Sequence, residues 1–372
     1  MQILAVLTAL LAHQLSGFIT HFNDFSEVND LLNDSLNYHA PQRLRIGILT
    51  LPFNEQIRGI AESEFKLAEH HGLDPFTYYS KHSYIASRYV EWLKRRKIEV
   101  VVVDVRLPDH KIALILETLN GIVLTGGQNG IYLKKHKIRV DNGISKVYTI
   151  QTPNYYELRV AAIMRKVYKI NETRPFGVWG TCLGLQSILV AESNFKLLKD
   201  KTANYMQASK WQLFDDSPFA KYLDSKGDLK QKIQNKRITF FNHMWGFMIK
   251  HYQSFPSLTS KYNLMAVAEN NKGQKFVQMI QHKTLPIVAV QSHPEVKARV
   301  VTNAEGYQGF EDEIRVGTAQ LDYFISLLGD WAYDHRTNKN HKEVVGLIKQ
   351  KNALEYGPIG VFNRFFMFSG ER

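Results

Sequence analysis

Residues 178–184 read VWGTCLG, and this stretch decides how the rest of the sequence is interpreted. It contains a G-x-C-x-G pentapeptide, the cysteine form of the nucleophile elbow, in which glycines permit a strained turn between a strand and a helix. Cys182 would then lie at a helix N-terminus, which favours the thiolate that attacks carbonyl carbon. The same turn would place the backbone amide of Leu183 beside a developing oxyanion. Tight packing of a helix on a strand around a small buried cysteine is the competing interpretation.

The segments around this turn predict an α/β domain. Strands are predicted at residues 45–51, 100–105, 121–124 and 176–179. Helices are predicted at residues 83–94, 111–119 and 155–168, from near Leu183, and at 319–331. The alternation of strand and helix predicts a mostly parallel central sheet with helices on both faces. Residues 276–281 and 287–291, joined by a turn, predict an antiparallel extension, and residues 361–368 predict a closing strand.

Two further segments carry candidate catalytic groups. Gly126 and Gly127 follow a predicted strand, and adjacent glycines can turn an amide toward the strand ends, so Gly127 is a candidate second oxyanion donor. Residues 291–295 read QSHPE, and a loop at a strand end could present His293 to the sulfur as a general base. Glu295 could orient the ring of His293, as the third member of a catalytic triad does. An ordinary turn and a structural histidine are the alternatives.

Composition excludes several classes of protein. The chain has 372 residues and is 44% hydrophobic, so it can bury a full core. Its single cysteine cannot form a disulfide within the chain. The net charge of +12 favours anionic ligands, but the basic residues are scattered and belong to no nucleic-acid-binding module, so we expect no nucleic-acid partner. No apolar run beyond the N-terminus is long enough to span a membrane, and we expect no membrane partner.

The N-terminus reads as a signal peptide. Residues 3–12 are apolar, and the small residues Ser16 and Gly17 follow at a suitable cleavage position. A buried N-terminal helix is the alternative, because the first residues lack lysine and arginine. Asn33 and Asn171 begin N-x-S/T triplets that could be glycosylated in a secreted protein. We expect a signal peptide over 1–17, a lead-in over 18–42, a hydrolase domain over 43–331 and a tail over 332–372.

The motifs together resemble the γ-glutamyl hydrolases, which are members of the class I glutamine-amidotransferase-like fold group. The resemblance is carried by WGTCLG at 179–184, by Gly126 and Gly127, and by QSHPE at 291–295. The segments YIAS at 84–87 and NHMW at 242–245 are also similar, and the resemblance spans about residues 45–331. It implies that γ-linked glutamate chains, such as those on folates, are hydrolysed in a lysosome, vacuole or extracellular space.

By residue match, the resemblance implies that Cys182 is the nucleophile, His293 the proton shuttle and Glu295 a supporting carboxylate. His243 and Trp245 would line the substrate pocket, although packing is nearly as reasonable a role for both. No metal or organic cofactor is needed, the expected partner is a small-molecule γ-linked oligoglutamate, and a homodimer is left open.

The sequence departs from the family pattern at two positions. Gln186 stands where an acidic residue is usual, and Ser292 stands where an aromatic residue is usual. Both departures leave specificity less certain than reaction type. Two alternatives therefore stay open: a glutaminase or amidotransferase using the same thioester chemistry, and a catalytically silent secreted binding protein of the same fold.

Overall fold

The computed structural model of the chain describes residues 44–52, 82–127, 132–141, 144–197, 199–296, 308–329, 353–356 and 365–369. The expected signal peptide over 1–17, the lead-in over 18–42 and the triplet at Asn33 lie outside the described residues.

The described strands, in chain order, are β1 (Arg45–Leu49), β2 (Leu51–Pro52), β3 (His82–Ala86), β4 (Glu99–Val103), β5 (Gly121–Leu124), β6 (Tyr132–Asp141), β7 (Ile144–Pro153), β8 (Gly177–Thr181), β9 (Asp200–Ser209), β10 (Trp211–Leu213), β11 (Thr239–Gly246), β12 (Tyr262–Glu269), β13 (Lys275–His282), β14 (Ile287–Val290), β15 (Ala353–Tyr356) and β16 (Phe365–Ser369).

The described helices are α1 (Ser87–Lys94), α2 (Asp109–Glu117), α3 (Tyr155–Asn171), α4 (Leu183–Glu192), α5 (Pro218–Asp224), α6 (Leu229–Asn235), α7 (Ile249–Gln253), α8 (Pro256–Thr259) and α9 (Phe310–Leu328). None of these described helices is long and apolar enough to cross a membrane.

The central sheet has eight strands among the described residues, in the order β10-β12-β13-β14-β8-β5-β1-β4. Strands β14, β8, β5, β1 and β4 pair in parallel. Strands β10, β12 and β13 continue the sheet in antiparallel fashion from β14. The predicted α/β class, with a mostly parallel sheet and an antiparallel extension, is therefore confirmed.

The hydrophobic core lies on both faces of the sheet, because successive strand residues point to opposite sides. In β1, Ile48 belongs to one hydrophobic cluster and Leu49 to the other. Helices α2, α3 and α4 pack into the Leu49 cluster, whereas α1 and α9 pack into the Ile48 cluster. Helices thus cover both faces, as the alternating pattern predicts.

A second sheet has the order β15-β16-β3-β2 in the part of the chain that the structure describes. The predicted helix over 83–94 is wrong at its start, since residues 82–86 form β3 and the helix begins at Ser87. The apolar residues of this segment also fit a strand, and β3 gains backbone partners in β2 and β16. Strand β16 covers part of the stretch at 361–368 where a closing strand is predicted.

Candidate active site

The nucleophile elbow forms at the junction of β8 and α4. Strand β8 ends at Thr181, α4 begins at Leu183, and Cys182 between them is the N-cap residue with φ 51° and ψ −100°. This positive-φ backbone is costly for a residue with a Cβ, on the order of 1–3 kcal/mol, and such strain persists only where the surroundings enforce it. Part of that enforcement is the hydrogen bond that the Cys182 amide donates to the carbonyl of Val290 at 2.7 Å. The strained turn therefore holds Cys182 at the carboxyl end of the parallel strands.

The two glycines of the motif serve close packing. A Cβ on Gly184 would lie 2.1 Å from the backbone oxygen of Leu124, and a Cβ on Gly180 would lie 2.9 Å from Cδ1 of Ile188. The positive φ belongs to Cys182 itself, which is 5% exposed. Strained turn and tight helix–strand packing, which are competing interpretations of the sequence, thus occur together.

His293 and Glu295 form a buried pair on the loop after β14. The Nδ1 of His293 donates to Oε1 of Glu295 at 2.7 Å, and the backbone amide of His293 donates to the carbonyl of Phe240 at 3.0 Å. Since Nδ1 carries the proton of this bond, Nε2 is the nitrogen left for proton transfer. Nε2 is buried and has no hydrogen-bond partner among the residues described.

The charges around His293 favour its protonated form. Burial alone disfavours the charged ring, but the Glu295 carboxylate and the Cys182 sulfur outweigh it and raise the pKa of His293 to about 10. An imidazolium at neutral pH, held between a carboxylate and a sulfur, is the electrostatic arrangement that stabilises a thiolate.

Gly126 marks the point where Cys182 and His293 meet. A Cβ on Gly126 would lie 2.7 Å from Cε1 of His293 and 3.1 Å from Cβ of Cys182. The two groups, distant in sequence, therefore line the same small space. A side chain at position 126 would fill that space, which explains the need for glycine there.

Gly127 lies beside this point but faces other residues. A Cβ on Gly127 would meet Cδ1 of Leu51 at 2.1 Å and the hydroxyl of Tyr84 at 3.3 Å. The amide of Gly126 donates to the hydroxyl of Tyr89 at 2.7 Å and is thus occupied. Leu183 is the first residue of α4, and the first amides of a helix have no partner within it.

Tyr89 is a site residue that the sequence interpretation missed. It is fully buried on α1, and burial together with the charge of Glu295 raises its pKa well above the ordinary value. It is therefore a neutral phenol that anchors the amide of Gly126 beside Cys182. The sequence signal that could have identified Tyr89 is the segment YIAS at 84–87, which resembles the family and ends two residues before Tyr89.

His243 and Trp245 lie on β11, which pairs with β9. His243 is buried, and burial together with the charge of His293 lowers the pKa of His243 to about 3, so the ring is neutral. Its Nδ1 lies 3.0 Å from the hydroxyl of Thr202 and 3.1 Å from the carbonyl of Trp245, while Nε2 is buried with no hydrogen-bond partner in the described part of the chain. Trp245 is 47% exposed. The structure thus brings His243 close enough to His293 for the charge of His293 to lower the pKa of His243, and it leaves Trp245 open to solvent.

The two departures from the family pattern are both buried and hydrogen-bonded. The Nε2 of Gln186 donates to the carbonyl of Trp245 at 2.6 Å and to Oε1 of Gln291 at 3.2 Å. A carboxylate at position 186 could donate neither bond. The hydroxyl of Ser292 accepts from Nε2 of Gln278 at 2.8 Å. Gln186 therefore ties α4 to the β11 segment that carries His243.

Comparison with known proteins gives a family for these residues. The family model described as peptidase C26 matches residues 68–295, which include Cys182, His293 and Glu295. The γ-glutamyl hydrolase of Rattus norvegicus is 23% identical over 286 residues, covering 77% of this chain and 83% of that protein. The γ-glutamyl hydrolase of Mus musculus is 24% identical with the same coverage of both chains. The γ-glutamyl hydrolase B of Dictyostelium discoideum is 27% identical over 67% of this chain and 62% of its own length.

A solved structure from Thermoplasma acidophilum, described as part of a GMP synthase, has a TM-score of 0.39 and 16% identity to this chain. The match covers 77% of this chain and 98% of the archaeal chain. A likeness at this level carries no argument about function.

Proposed function

Because this chain belongs to the peptidase C26 family and is a cysteine-type hydrolase, we propose that it cleaves γ-glutamyl bonds, with poly-γ-glutamates such as those on folates as substrates. One observation supports the proposal most strongly. His293 is hydrogen-bonded to Glu295 through Nδ1 and lies beside Cys182, which is held in a strained conformation at the start of α4. That arrangement combines a nucleophile, a proton carrier and a group that orients it.

In the proposed first step, the Cys182 thiolate adds to the side-chain amide carbonyl of a γ-linked glutamate. The amide of Leu183 and, in the proposal, the amide of Gly127 stabilise the negative charge on the carbonyl oxygen. The imidazolium of His293 then gives its Nε2 proton to the leaving nitrogen. The carbon–nitrogen bond breaks, an amine departs and a thioester to Cys182 remains.

In the second step, neutral His293 removes a proton from water, and the resulting hydroxide attacks the thioester carbonyl. The carbon–sulfur bond breaks, the glutamyl product leaves as an acid that gives its proton to water, and the thiolate with its imidazolium partner is restored. Glu295 keeps Nδ1 protonated and the ring in position throughout, because a carboxylate can only accept that hydrogen bond. The scheme requires no metal or organic cofactor.

Substrate binding is proposed to use His243 and Trp245. The buried Nε2 of His243 can accept a hydrogen bond from the substrate, and the exposed indole of Trp245 can cover an apolar or planar part of it. The net charge of +12 would raise the local concentration of a polyanionic oligoglutamate.

We also propose that the protein is secreted or delivered to a lysosome or vacuole, because residues 1–17 have the pattern of a signal peptide. Glycosylation at Asn171 would disturb the fold, since its Nδ2 donates to the carbonyls of Val167 and Phe176. Asn33 is therefore the better candidate acceptor of the two.

The proposal is tested by incubating the purified protein separately with γ-linked diglutamyl and triglutamyl peptides, with the α-linked isomers and with free glutamine. We expect release of glutamate from the γ-linked peptides alone, and loss of at least ~10³-fold in kcat/KM in Cys182→Ala and His293→Ala. His282→Ala is the matched histidine control, because His282 is also buried but lies at the end of β13, where its ring packs on Tyr168 and Tyr262. Full γ-peptide cleavage by Cys182→Ala would refute the proposed nucleophile.

The same experiment separates the alternatives. Ammonia release from free glutamine without γ-peptide cleavage would favour a glutaminase or amidotransferase. Absence of turnover, together with inertness of Cys182 toward iodoacetamide, would favour a binding protein. Because Cys182 is the single cysteine of the chain, any labelling reports on that residue directly.

A further inference from the structure

Arg88 is an unusual residue next to the proposed active site. It is 1% exposed, and none of its three guanidinium nitrogens has a hydrogen-bond partner within the described ranges of the chain. A buried cation without hydrogen bonds is costly, so its place requires nearby negative charge or a function.

The packing around α1 places Arg88 close to the catalytic loop. Arg88 precedes Tyr89, whose hydroxyl binds the amide of Gly126, and it lies one helical turn before Trp92. The Nε1 of Trp92 donates to the carbonyl of Gly317 on α9 at 3.0 Å. A Cβ on Gly317 would in turn lie 2.4 Å from the carbonyl oxygen of Pro294, which stands between His293 and Glu295. Helix α9 therefore packs against both α1 and the loop that carries the proposed base.

The charges of three carboxylates act on the guanidinium, one from each element packed there. Burial lowers the pKa of Arg88, and the negative charges of Glu295 on the loop, Glu91 on α1 and Glu313 on α9 oppose that change. Arginine has so high an intrinsic pKa that the residue stays charged. Among the three carboxylates, Glu295 exerts the largest charge effect on Arg88.

We propose that Arg88 is a positioning residue of this site, whose buried positive charge acts on the Glu295 carboxylate and thereby holds the Glu295–His293 pair in place beside Cys182. The inference rests on the proposed function, because it takes Cys182, His293 and Glu295 as the catalytic residues. Arg88 acts through Glu295 and contacts no substrate.

The physical reason is the balance of charge in a closed space. Glu295 is 1% exposed, so water cannot stabilise its carboxylate, and the neighbouring phenol of Tyr89 is neutral. The imidazolium of His293 is one counter-charge, but it disappears each time His293 gives up its proton. At that moment the charge of Arg88 still acts on Glu295 and balances the carboxylate in the closed space.

The test uses the whole chain and compares Arg88→Met, which removes the charge but keeps the volume, with Arg88→Lys, which keeps the charge. Arg88→Ser is made in parallel in case the methionine variant is insoluble. The smaller serine leaves space for water around the carboxylates, and this hydration should allow the variant to fold. The readout is the rate of Cys182 alkylation by iodoacetamide from pH 4.5 to 9, with the melting temperature of each variant measured at every pH.

We expect the acid limb of the alkylation profile to move up by roughly one pH unit in Arg88→Met and Arg88→Ser, a loss of about tenfold in rate on that limb. Arg88→Lys should keep the wild-type profile even if its melting temperature falls. An unchanged acid limb in a folded, charge-free variant would overturn the inference and leave Arg88 as packing alone.

Alkylation needs no substrate, so the two hypotheses can fail separately. If no γ-glutamyl bond were cleaved while Arg88→Met still moved the profile, the proposed function would be wrong and the role of Arg88 would stand.

Discussion

Replacing Glu295 with glutamine is the sharpest test of the site electrostatics. The substitution keeps the shape of the side chain and an oxygen that can accept from Nδ1 of His293, which now lies 2.7 Å from Oε1 of Glu295. It removes the negative charge. The experiment therefore separates the charge of Glu295 from its hydrogen bond.

The expected magnitude follows from His293. Its pKa is raised from 6.5 to about 10, with the charge of Glu295 as the largest influence opposing burial. This rise in the pKa of His293 corresponds to a free energy of roughly 5 kcal/mol, at about 1.4 kcal/mol for each pKa unit. Without the carboxylate, only the Cys182 sulfur opposes burial, and we expect the pKa of His293 to fall far enough for the ring to lose its charge at pH 7. The thiolate of Cys182 then loses its cationic partner.

The assay is alkylation of the single cysteine from pH 5 to 9. In the wild type, we expect a rate that changes little from pH 6 to 9 and falls only toward pH 5, because His293 stays protonated. In Glu295→Gln, the rate should be roughly 10- to 100-fold lower at pH 6 and should rise with pH as it does for an ordinary thiol. Glu192→Gln is the control, since Glu192 is the last residue of α4 and pairs with Lys261.

A Glu295→Gln variant that is folded and shows the wild-type pH profile would refute this reasoning. It would mean that the charge of Glu295 does not govern His293, and that the stability of the thiolate has another source.

Three further predictions concern groups around the elbow. Burial raises the pKa of Glu157 to about 8 from 4.5, so the native state favours the protonated acid and loses stability as pH rises from 4.5 through 8. Glu157→Gln should therefore gain melting temperature relative to wild type at pH 9 but not at pH 4.5, and an equal difference at both would contradict this. Gly184→Ala should lose several kcal/mol of stability in urea unfolding and most of its alkylation rate, because the added methyl would meet the oxygen of Leu124 at 2.1 Å. A fully stable Gly184→Ala would show that α4 can shift. Tyr89→Phe leaves the buried amide of Gly126 without its acceptor, and we expect about 1–3 kcal/mol lower stability and reduced kcat with little change in KM. An unchanged kcat would make the phenol a packing residue.

Much of the central sheet can be predicted from local sequence patterns. The β-branched run at 100–103 and the glycine-led strand at 121–124 belong to a parallel sheet covered on both faces, which leaves an apolar signature in the sequence itself. The elbow is equally local, since Gly180 and Gly184 are required within a few residues of Cys182. These features follow from short-range constraints.

The missed features depend on distant residues. Residues 82–86 fit either a helix or a strand by local pattern, and they form a strand because β2 and β16 supply partners. Tyr89 becomes a site residue only when α1 packs near Gly126. In the sequence, Arg88 is an ordinary charged residue inside the helix predicted over 83–94. Its burial within reach of the charge of Glu295 emerges only in three dimensions.

The pairing of β16 with β3 bears on when the protein becomes active during synthesis. Residues 365–369 form β16, which pairs with β3, the strand that leads directly into Arg88 and Tyr89. The ribosome therefore synthesises this partner strand long after it has synthesised β3. Pairing across so large a separation is slow compared with local folding. A ribosome-bound chain that lacks residues 365–369 should therefore form the turn at Cys182 but not the complete active site. Hydrolytic activity should begin only after these residues have emerged.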